Sequence, residues 1–277
     1  MKRILFSLIL VLLAVNFVFA GLEDDLVVYF TFDNVTGKKI LDVSDNQHNA
    51  EIVGKTKFVK GKHRNAIQIT ADTEECVNVP AWQSLKISGE ITMSAWVYRE
   101  SWANGSGYWF DKGCYAGLAN MHAYGMAVFQ VKEAHWRLDG LKGTVIVMIL
   151  GGAGNQMRFS GTLPRTENKK WHHVVGTYDG AFVKIYLDGE ILFEGEKFGP
   201  INKVFPEVND QALRIGCAKD RPQYAFDNGA IDEVALWSRS LTQTEIRTVM
   251  KGNMLVVSPK DKVATTWGDI KRRAVAD

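Results

Sequence analysis

Short runs of β-branched and aromatic residues recur along most of this chain, and turn residues separate them. Several runs alternate apolar with polar residues, which is typical of a strand that buries one face in a core. They are Leu26–Phe32, Ile91–Tyr98, Gly125–Val131, Thr144–Leu150, Trp171–Tyr178 and Phe182–Leu187. Asp179-Gly180 and Asp188-Gly189 each lie between two runs, and type I′ hairpin turns favour Asp-Gly because both central residues need positive φ. The pattern predicts a three-stranded antiparallel meander from Trp171 to about Glu194.

Helix signals are scarce, and one is well defined. Thr242 and Glu245 have the spacing of a capping box, and Gly252 can end the segment that follows. Strands do not alternate with helices, which argues against a parallel α/β sheet. We therefore predict an all-β protein of two packed antiparallel sheets or a jelly roll, with one short helix after the last core strand.

The first twenty residues have the three parts of a secretory signal peptide. Met1-Lys2-Arg3 is positively charged, Ile4–Phe19 is almost wholly apolar, and Val18-Phe19-Ala20 places small residues where signal peptidase cuts. A membrane anchor is the alternative, but the apolar run falls short of the ~20 residues that a spanning helix needs. We predict a cleaved signal peptide over residues 1–20, no later membrane span, and a secreted, cell-surface or periplasmic protein.

The charges are nearly balanced, with 33 Lys and Arg against 31 Asp and Glu and a formal net charge of +2. Apart from Lys271-Arg272-Arg273, no long basic run stands out, so nucleic acid is not an expected partner. Residues 21–252 are predicted to form one domain. Residues 253–277, where the apolar spacing loses its period, are predicted to form a C-terminal tail.

Three cysteines are an odd set for an exported chain. Cys76, Cys114 and Cys217 allow at most one bridge within the molecule, and one thiol is left over. Their spacings match neither a zinc motif nor C-x-x-C. They are either buried small residues or include one incidental disulfide.

Several segments follow one another in a recognisable order. In sequence order they are Leu26–Asp33, Leu41–Ala50, Ile91–Val97, Trp171–Gly180, Ile185–Gly189 and Gly229–Thr242. Together they resemble the laminin G-like, concanavalin A-like jelly-roll domains of exported bacterial proteins, over the chain from Leu22 to about Gly252. The resemblance implies an antiparallel jelly-roll sandwich with six or seven strands in each sheet. It also implies that the first strand lies near the last core strand.

Carboxylates flank these two strands. Asp33 follows the first strand and Asp232 lies on the last, so the two converge if the strands are neighbours, and like charges held close need a cation or a proton between them. Calcium takes six to eight oxygen ligands. The resemblance implies a structural calcium ion with Asp33 and Asp232 as side-chain ligands, and with Asn46 and the backbone around His48 as further candidates.

The loop that would complete this metal site departs from the family pattern. It reads Asp-Val-Ser-Asp-Asn where the family favours Asp-x-Ser-Gly-Asn, so Asp45 replaces a glycine. The alternative to a metal is that Asp33 and Asp42 cap turns by accepting hydrogen bonds from backbone amides.

No catalytic residues are predicted. Glycosidases need two carboxylic acids beside the scissile bond, and the Glu-x-Asp-x-x-Glu pattern of the laminarinase-like enzymes is absent. Glu194 and Glu196 form the nearest pair and are expected to be a solvated charge pair. His172 and His173 are expected to be structural, one facing into the sheet and the other outward.

Aromatic residues supply the candidate ligand-binding site. Sugars bind where an apolar wall is combined with a few polar groups, and the chain has such a cluster in a loop-rich stretch. The candidates are Trp102, Tyr108, Trp109, Tyr115, His122 and Tyr124. The alternative is that these rings fill the core, as Trp96 and Trp171 are expected to do.

These observations favour a non-catalytic extracellular recognition module that binds carbohydrate or a protein partner. Two alternatives stay open: a purely structural or adhesive scaffold, and a polysaccharide-active glycoside hydrolase. Fold alone does not distinguish them.

Overall fold

A computed structural model describes most of the chain from residue 21 to residue 254 and shows two stacked antiparallel sheets. The described residues are 21–69, 76–101, 106–113, 122–131, 140–151, 156–163, 168–197, 199–201, 210–218, 225–226, 228–252 and 254. We call the sheets sheet I and sheet II, and the face of each that points away from the other its outer face. The predicted signal peptide and nearly all of the predicted tail lie outside these residues.

Sheet I has eight described strands. In chain order they are β1 (Leu26–Phe30), β5 (Lys57–Lys60), β6 (Asn65–Ile69), β8 (Ile91–Arg99), β13 (Trp171–Tyr178), β14 (Phe182–Leu187), β15 (Glu190–Glu196) and β17 (Gly229–Trp237). Their order across the sheet is β15-β14-β13-β8-β17-β6-β5, and β1 also pairs with β17. Strand β5 is therefore an edge of the sheet.

Sheet II has nine described strands. They are β2 (Val35–Thr36), β3 (Lys39–Ile40), β4 (Ala50–Val53), β7 (Cys76–Val79), β9 (Gly107–Lys112), β10 (Tyr124–Val131), β11 (Gly143–Gly151), β12 (Gln156–Thr162) and β16 (Leu213–Ile215). Their order is β12-β11-β10-β9-β16-β7-β4-β3-β2. The resemblance implied six or seven strands in each sheet. The difference includes the two-residue strands β2 and β3, which exist only through their pairing with neighbours.

The core lies between the sheets, and strand β8 shows how the sequence builds it. Ile91, Met93, Ala95 and Val97 alternate along the strand and all join the central cluster. Because successive side chains point to opposite faces, the residues between them lie on the outer face of sheet I. The all-β jelly-roll class predicted from the sequence is confirmed.

The meander predicted from Trp171 onward is confirmed as β13, β14 and β15. Its second turn has positive φ at both Asp188 (51°) and Gly189 (82°), as a type I′ turn requires. At the first turn only Gly180 has positive φ. There the Asp179 carboxylate accepts hydrogen bonds from the amides of Ala181 and Phe182, so an Asx turn closes the hairpin instead.

The first and last strands of sheet I are neighbours, as the resemblance implied. Strand β1 runs antiparallel to β17, with Phe30 opposite Val234. Between Asp232 and Ala235 the register of β17 against β8 shifts, and Glu233 has a φ of 51°. This bulge sets the two acidic side chains beside the end of β1.

The predicted helix is confirmed as α1, Gln243–Val249, with a capping box between Thr242 and Glu245. It lies on the outer face of sheet I. Its buried side chains, Ile246 and Val249, pack in a cluster with Tyr29 and Trp237. The helix therefore covers the β1 and β17 end of that face.

One disulfide joins Cys76 at the start of β7 to Cys217 just after β16. The two strands are already paired in sheet II, so the bridge links residues 141 positions apart in sequence. The third cysteine, Cys114, lies outside the described residues. Across the described part of the chain, no helix has the length and apolarity needed to cross a membrane.

Candidate functional site

A row of side chains crosses the outer face of sheet I away from α1. Trp171 on β13 lies opposite Tyr98 on β8, and Tyr98 lies opposite Ala230 on β17. Ala230 in turn lies opposite Gln68 on β6. Because alanine is the small member of the row, it leaves a depression between the Tyr98 ring and the Gln68 amide.

This depression is a groove of about 320 Å³. Tyr98 and Trp171 are partly exposed there, with ring centroids 5.6 Å apart and ring planes inclined by 46°. The volume lies at the lower end of the range for small-molecule sites. The other lining residues are Val59, Lys60, Gln68, Glu100, Asn228, Gly229 and Ala230.

The aromatic wall is held by polar contacts at one end of the groove. The Tyr98 hydroxyl donates to Glu100 Oε1 at 3.0 Å, and Lys169 Nζ lies 3.5 Å from Glu100 Oε2. These bonds fix the tyrosine ring against Trp171. The groove thus combines two fixed rings with amide and ammonium donors.

The structure corrects the expectation that Trp171 fills the core, whereas Trp96 is buried as expected, although on the outer face of sheet I. Both alternate with core residues of their strands, so both lie on the outer face of sheet I. Trp171 lines the groove. Trp96 is only 5% exposed because Lys62 Nζ lies over its ring, 4.2 Å from the centroid, and His173 packs at 5.2 Å.

His173 is buried beside Trp96 on this face. Its Nε2 is hydrogen-bonded to Ser94 Oγ at 2.9 Å. Burial lowers the pKa of His173 to about 3, so the ring is neutral. His172 points the other way and bonds Asp188 at 2.8 Å, which agrees with the structural role expected for the pair.

Three carboxylates meet beside the end of β1. Asp232 is fully buried and Glu233 nearly so. Burial, with the Glu233 and Asp33 charges adding to it, raises the pKa of Asp232 to about 8. Burial and the Asp33 charge raise the pKa of Glu233 to about 7, and the Tyr29 hydroxyl donates to its Oε2.

The turn between β5 and β6 closes over Asp232. The His63 amide donates to Asp232 Oδ2 at 2.9 Å, and a Cβ at Gly61 would lie 2.5 Å from the same oxygen. Asp33 Oδ1 accepts from the Asn65 amide at 3.0 Å, and its Oδ2 lies 3.9 Å from Arg64 Nη1. Only a glycine at position 61 lets the turn between β5 and β6 approach the Asp232 carboxylate this closely.

The donor chemistry of this acid cluster, defined as Asp33, Asp232 and Glu233, fits a hard cation, because buried carboxylates with raised pKa values gain most from a positive charge. Within the described ranges, however, no group of three or more His, Cys, Asp or Glu side chains is placed so that it could hold a metal ion. Main-chain carbonyls would have to supply the remaining ligands.

His48 and Asn46 bond to residues outside the acid cluster, His48 to Asp42 and Asn46 to strand β1. Asp42 accepts hydrogen bonds from the backbone amides of Tyr29, Ser44 and His48, which is the turn-capping alternative. The Asn46 amide donates to the carbonyls of Leu26 and Val27 at 2.8 and 3.1 Å.

The His48 ring is occupied by a separate exposed contact. It stacks on Trp82, with ring centroids 4.8 Å apart and an inclination of 8°, and its Nε2 is 2.6 Å from Ser84 Oγ. Neither the Asn46 amide group nor the His48 ring bonds to the acid cluster.

The aromatic cluster predicted to bind a ligand divides between two faces of sheet II. Trp109 and Tyr124 are fully buried in the central core, and the Tyr124 hydroxyl donates to the Leu85 carbonyl at 2.9 Å. Neither ring can meet a ligand at the surface. Trp102 and Tyr115 lie outside the described residues.

Tyr108 and His122 do come together, on the outer face of sheet II. Their rings stack at 5.2 Å, and His122 Nδ1 is 2.6 Å from Asp111 Oδ1. All three residues are at most 4% exposed, so the rings offer no open stacking face. Glu194 is exposed and bridges Lys184 at 3.5 Å, as expected of a solvated charge.

The groove residues were not predicted from the sequence, and two signals point to them. In Trp171-His172-His173-Val174, alternation places Trp171 on the face opposite to Val174, and the structure shows that Val174 is the core residue. Residues 55–64 contain four lysines, one arginine and no acidic residue. This short basic run, passed over in the whole-chain charge balance, borders the groove.

Solved structures share the fold. The binding domain of Paraclostridial Mosquitocidal Protein 1 has a TM-score of 0.60 and 17% identity, over 83% of this chain and 52% of that one. Domain 4 of AbnA, an extracellular arabinanase of family GH43 from Geobacillus stearothermophilus solved with arabinotriose, has a TM-score of 0.55 and 18% identity, over 82% and 98%. The binding domain of botulinum neurotoxin DC, solved with rat synaptotagmin II, has a TM-score of 0.58 and 11% identity, over 84% and 52%.

The chain thus spans about half the length of the two toxin domains and nearly all of the arabinanase domain. No curated protein sequence matches it. A family model of laminin G-like domains, described as the concanavalin A-like lectin/glucanases superfamily, matches residues 72–247, which is more than half of the chain. The chain belongs to the concanavalin A-like lectin/glucanases superfamily.

Proposed function

We propose that this protein is an extracellular, non-catalytic carbohydrate-binding module and that its binding site is the groove beside Tyr98 and Trp171. The groove itself carries the proposal: it pairs two fixed aromatic rings with polar side chains, in a volume suited to one or two sugar rings. An apolar wall with a few polar groups is the general pattern of a small-ligand site. The arabinotriose complex of the arabinanase domain shows that this fold can bind a saccharide.

The acids near the groove support a binding role over hydrolysis. Glycoside hydrolysis ordinarily needs two carboxyl groups on either side of the bond. Of the residues described as lining the groove, Glu100 alone is acidic, and it is engaged by Tyr98 and Lys169. An extracellular location agrees with the Cys76–Cys217 disulfide, since such bonds persist in oxidising compartments.

A glycan array tests the proposal with the parent chain, Trp171→Ala and Trp82→Ala. We expect the parent to bind saccharides, and Trp171→Ala to weaken binding about tenfold because a central aromatic contact is lost. Trp82 is 43% exposed and lies outside the groove, so Trp82→Ala serves as the matched control and should bind as the parent does. Saccharide binding that survives in Trp171→Ala would place the site elsewhere, and no binding by the parent would refute the proposal.

We also propose that the acid cluster holds a structural calcium ion, with Asp33 and Asp232 as side-chain ligands and Glu233 beside them. The support is the buried charge itself. Two carboxylates with pKa values raised to about 8 and 7 would be stabilised by a cation at neutral pH. Asn46 and the His48 backbone were predicted as further ligands. The proposal has Glu233 in their place, because the Asn46 side chain bonds strand β1 and the His48 amide bonds Asp42.

Thermal unfolding in calcium and in EDTA tests the metal. A ligand that binds only the folded state raises the Tm by mass action, so the parent should be stabilised by calcium and Asp232→Asn should not. Asp45→Asn removes the same charge from an exposed loop position and should keep the calcium response. Equal Tm values for the parent in calcium and in EDTA would argue for a metal-free cluster.

A further inference from the structure

The edge of sheet I beside the groove is strongly basic. Lys55, Lys57, Lys60, Lys62 and Arg64 fall within ten residues that contain no aspartate or glutamate. Lys57 and Lys60 are on β5, the edge strand of the sheet, and Lys60 itself lines the groove. We call residues 55–64 the basic rim.

Most charges of the basic rim have no carboxylate partner within the described part of the chain. Among the described residues its one ion pair is Arg64 with Asp33 at 3.9 Å, and the Arg64 side chain is 84% exposed. Lys62 meets the Trp96 ring and no carboxylate. Lys60 has no acidic partner among those residues, although it borders a concave surface where a positive potential is concentrated.

The one acidic residue described in the groove does not offset this charge. Glu100 is on the far side, where Lys169 lies 3.5 Å from one oxygen and the Tyr98 hydroxyl bonds the other. A ligand in the groove would therefore meet aromatic rings on one side and the basic rim on the other, where Lys60 lines the groove and Lys57 lies opposite the lining residue Gln68. That combination suits a sugar ring bearing a negative substituent, because the ring stacks and the substituent pairs with lysine.

We propose that the ligand of this groove is an anionic saccharide, one that carries a carboxylate or a sulfate group. The inference rests on the proposed saccharide-binding function and specifies its ligand class. Binding then depends on both the aromatic wall and the basic rim, and it weakens as salt screens the charges.

The test compares saccharides that differ only in charge. Binding of the full chain is measured by calorimetry for polygalacturonate against its methyl ester, and for dextran sulfate against dextran. These pairs separate carboxylate from sulfate recognition. The variants are Lys57→Gln/Lys60→Gln, Trp171→Ala and Lys142→Gln, the last being an exposed lysine beside β11 in sheet II that serves as the charge control.

The inference requires that one charged probe binds at least about tenfold more tightly than its neutral counterpart. The double lysine variant should lose roughly fivefold in affinity, which is the effect expected from removing two exposed ion pairs. Trp171→Ala should also lose affinity. Lys142→Gln should bind as the parent does. Charged-probe binding that survives in Trp171→Ala overturns the inference, since it marks general attraction to polyanions.

Failure of the anionic ligand class can be distinguished from failure of the proposed saccharide-binding function. Equal affinity for charged and neutral members, with loss in Trp171→Ala, overturns the anionic ligand class and leaves the saccharide site in place. If none of the four probes binds and the glycan array is also negative, both proposals fail. If none binds but neutral saccharides on the array do, only the anionic class is overturned.

Discussion

His173 is kept neutral by burial at the centre of the outer face of sheet I, between Trp96 and Ser94. Its neutral form is part of the packing, because a charged imidazolium there would be cut off from water. The Ser94 hydroxyl bonds one ring nitrogen, and the other has no hydrogen-bond partner among the described residues. This residue therefore links acidity to stability.

We expect acidification to destabilise the protein through His173. Its pKa is lowered from an ordinary 6.5 to about 3, so between these values the unfolded chain binds more protons than the folded one. The contribution of His173 to the free energy of unfolding is fully present above pH 6.5. It is lost as the pH falls towards 3, with a slope of up to about 1.4 kcal/mol per pH unit. Urea unfolding from pH 7 to pH 4 measures it, and His173→Gln should show a shallower slope than the parent. Parallel slopes would mean that the histidine is not buried as described.

The groove shows why binding residues can escape sequence analysis at this scale. Alternation separates Trp171 and His173 from His172 and Val174 into two faces, but it does not say which face meets the other sheet. Tryptophan is usually buried, so the core was the natural expectation for Trp171. The outcome depends on the neighbouring small residue Ala230, whose partners on both sides come from distant parts of the chain.

At the scale of elements, helix α1 is the one most clearly specified by its own residues. Thr242 Oγ1 accepts from the Glu245 amide at 3.3 Å, and Glu245 Oε2 accepts from the Thr242 amide at 2.7 Å. Arg239 joins the same carboxylate at 2.8 Å. The cap fixes the start of a helix that is only two turns long and that packs on β1 and β17.

Thr242→Ala should therefore lower the free energy of unfolding by about 1 kcal/mol, because the first turn loses an acceptor for its amide. Thr244→Ala is the matched control, since Thr244 is exposed and lies two positions further into the helix. Chemical denaturation of the three proteins provides the comparison. Alanine favours the helix more than threonine does, so Thr244→Ala should not lose stability, and a Thr242→Ala variant as stable as the parent would show that the cap contributes nothing.

The long elements were predictable and the short ones were not. The meander β13–β15, the capping box and the pairing of β1 with β17 each have local or family signals in the sequence. Strands β2 and β3 have two residues each, too few for any periodicity. They form because the chain between β1 and β4 folds along the edge of sheet II.

For the whole molecule, the Cys76–Cys217 disulfide is the main covalent constraint. It closes a loop across 141 positions, and long loops gain most from closure because the unfolded chain loses more freedom. The number of possible bridges followed from the three cysteines, but the pairing did not, since it depends on β7 and β16 being neighbours.

We expect Cys76→Ser/Cys217→Ser to lose about 2–5 kcal/mol of stability. Urea unfolding with and without reductant measures this, and reductant should shift the parent and leave the double variant unchanged. A parent insensitive to reductant once unfolded would argue against the bridge.

The candidate site as a whole is assembled from β5, β6, β8, β13 and β17, which span more than half of the chain. No local sequence motif could have predicted this site, because each strand contributes only one or two side chains to it. The acid cluster was more accessible to sequence reasoning, since Asp33 and Asp232 belong to segments that the family resemblance already placed side by side.

The same disulfide changes what a protease can accomplish. A single cut in the chain between residues 76 and 217 would leave two polypeptides that are still joined covalently and still paired strand to strand. Such a nicked molecule would migrate as one species in a denaturing gel until it is reduced. Its groove residues would be divided between two fragments that the disulfide holds together. Cleavage of the chain and loss of binding are thus separate events.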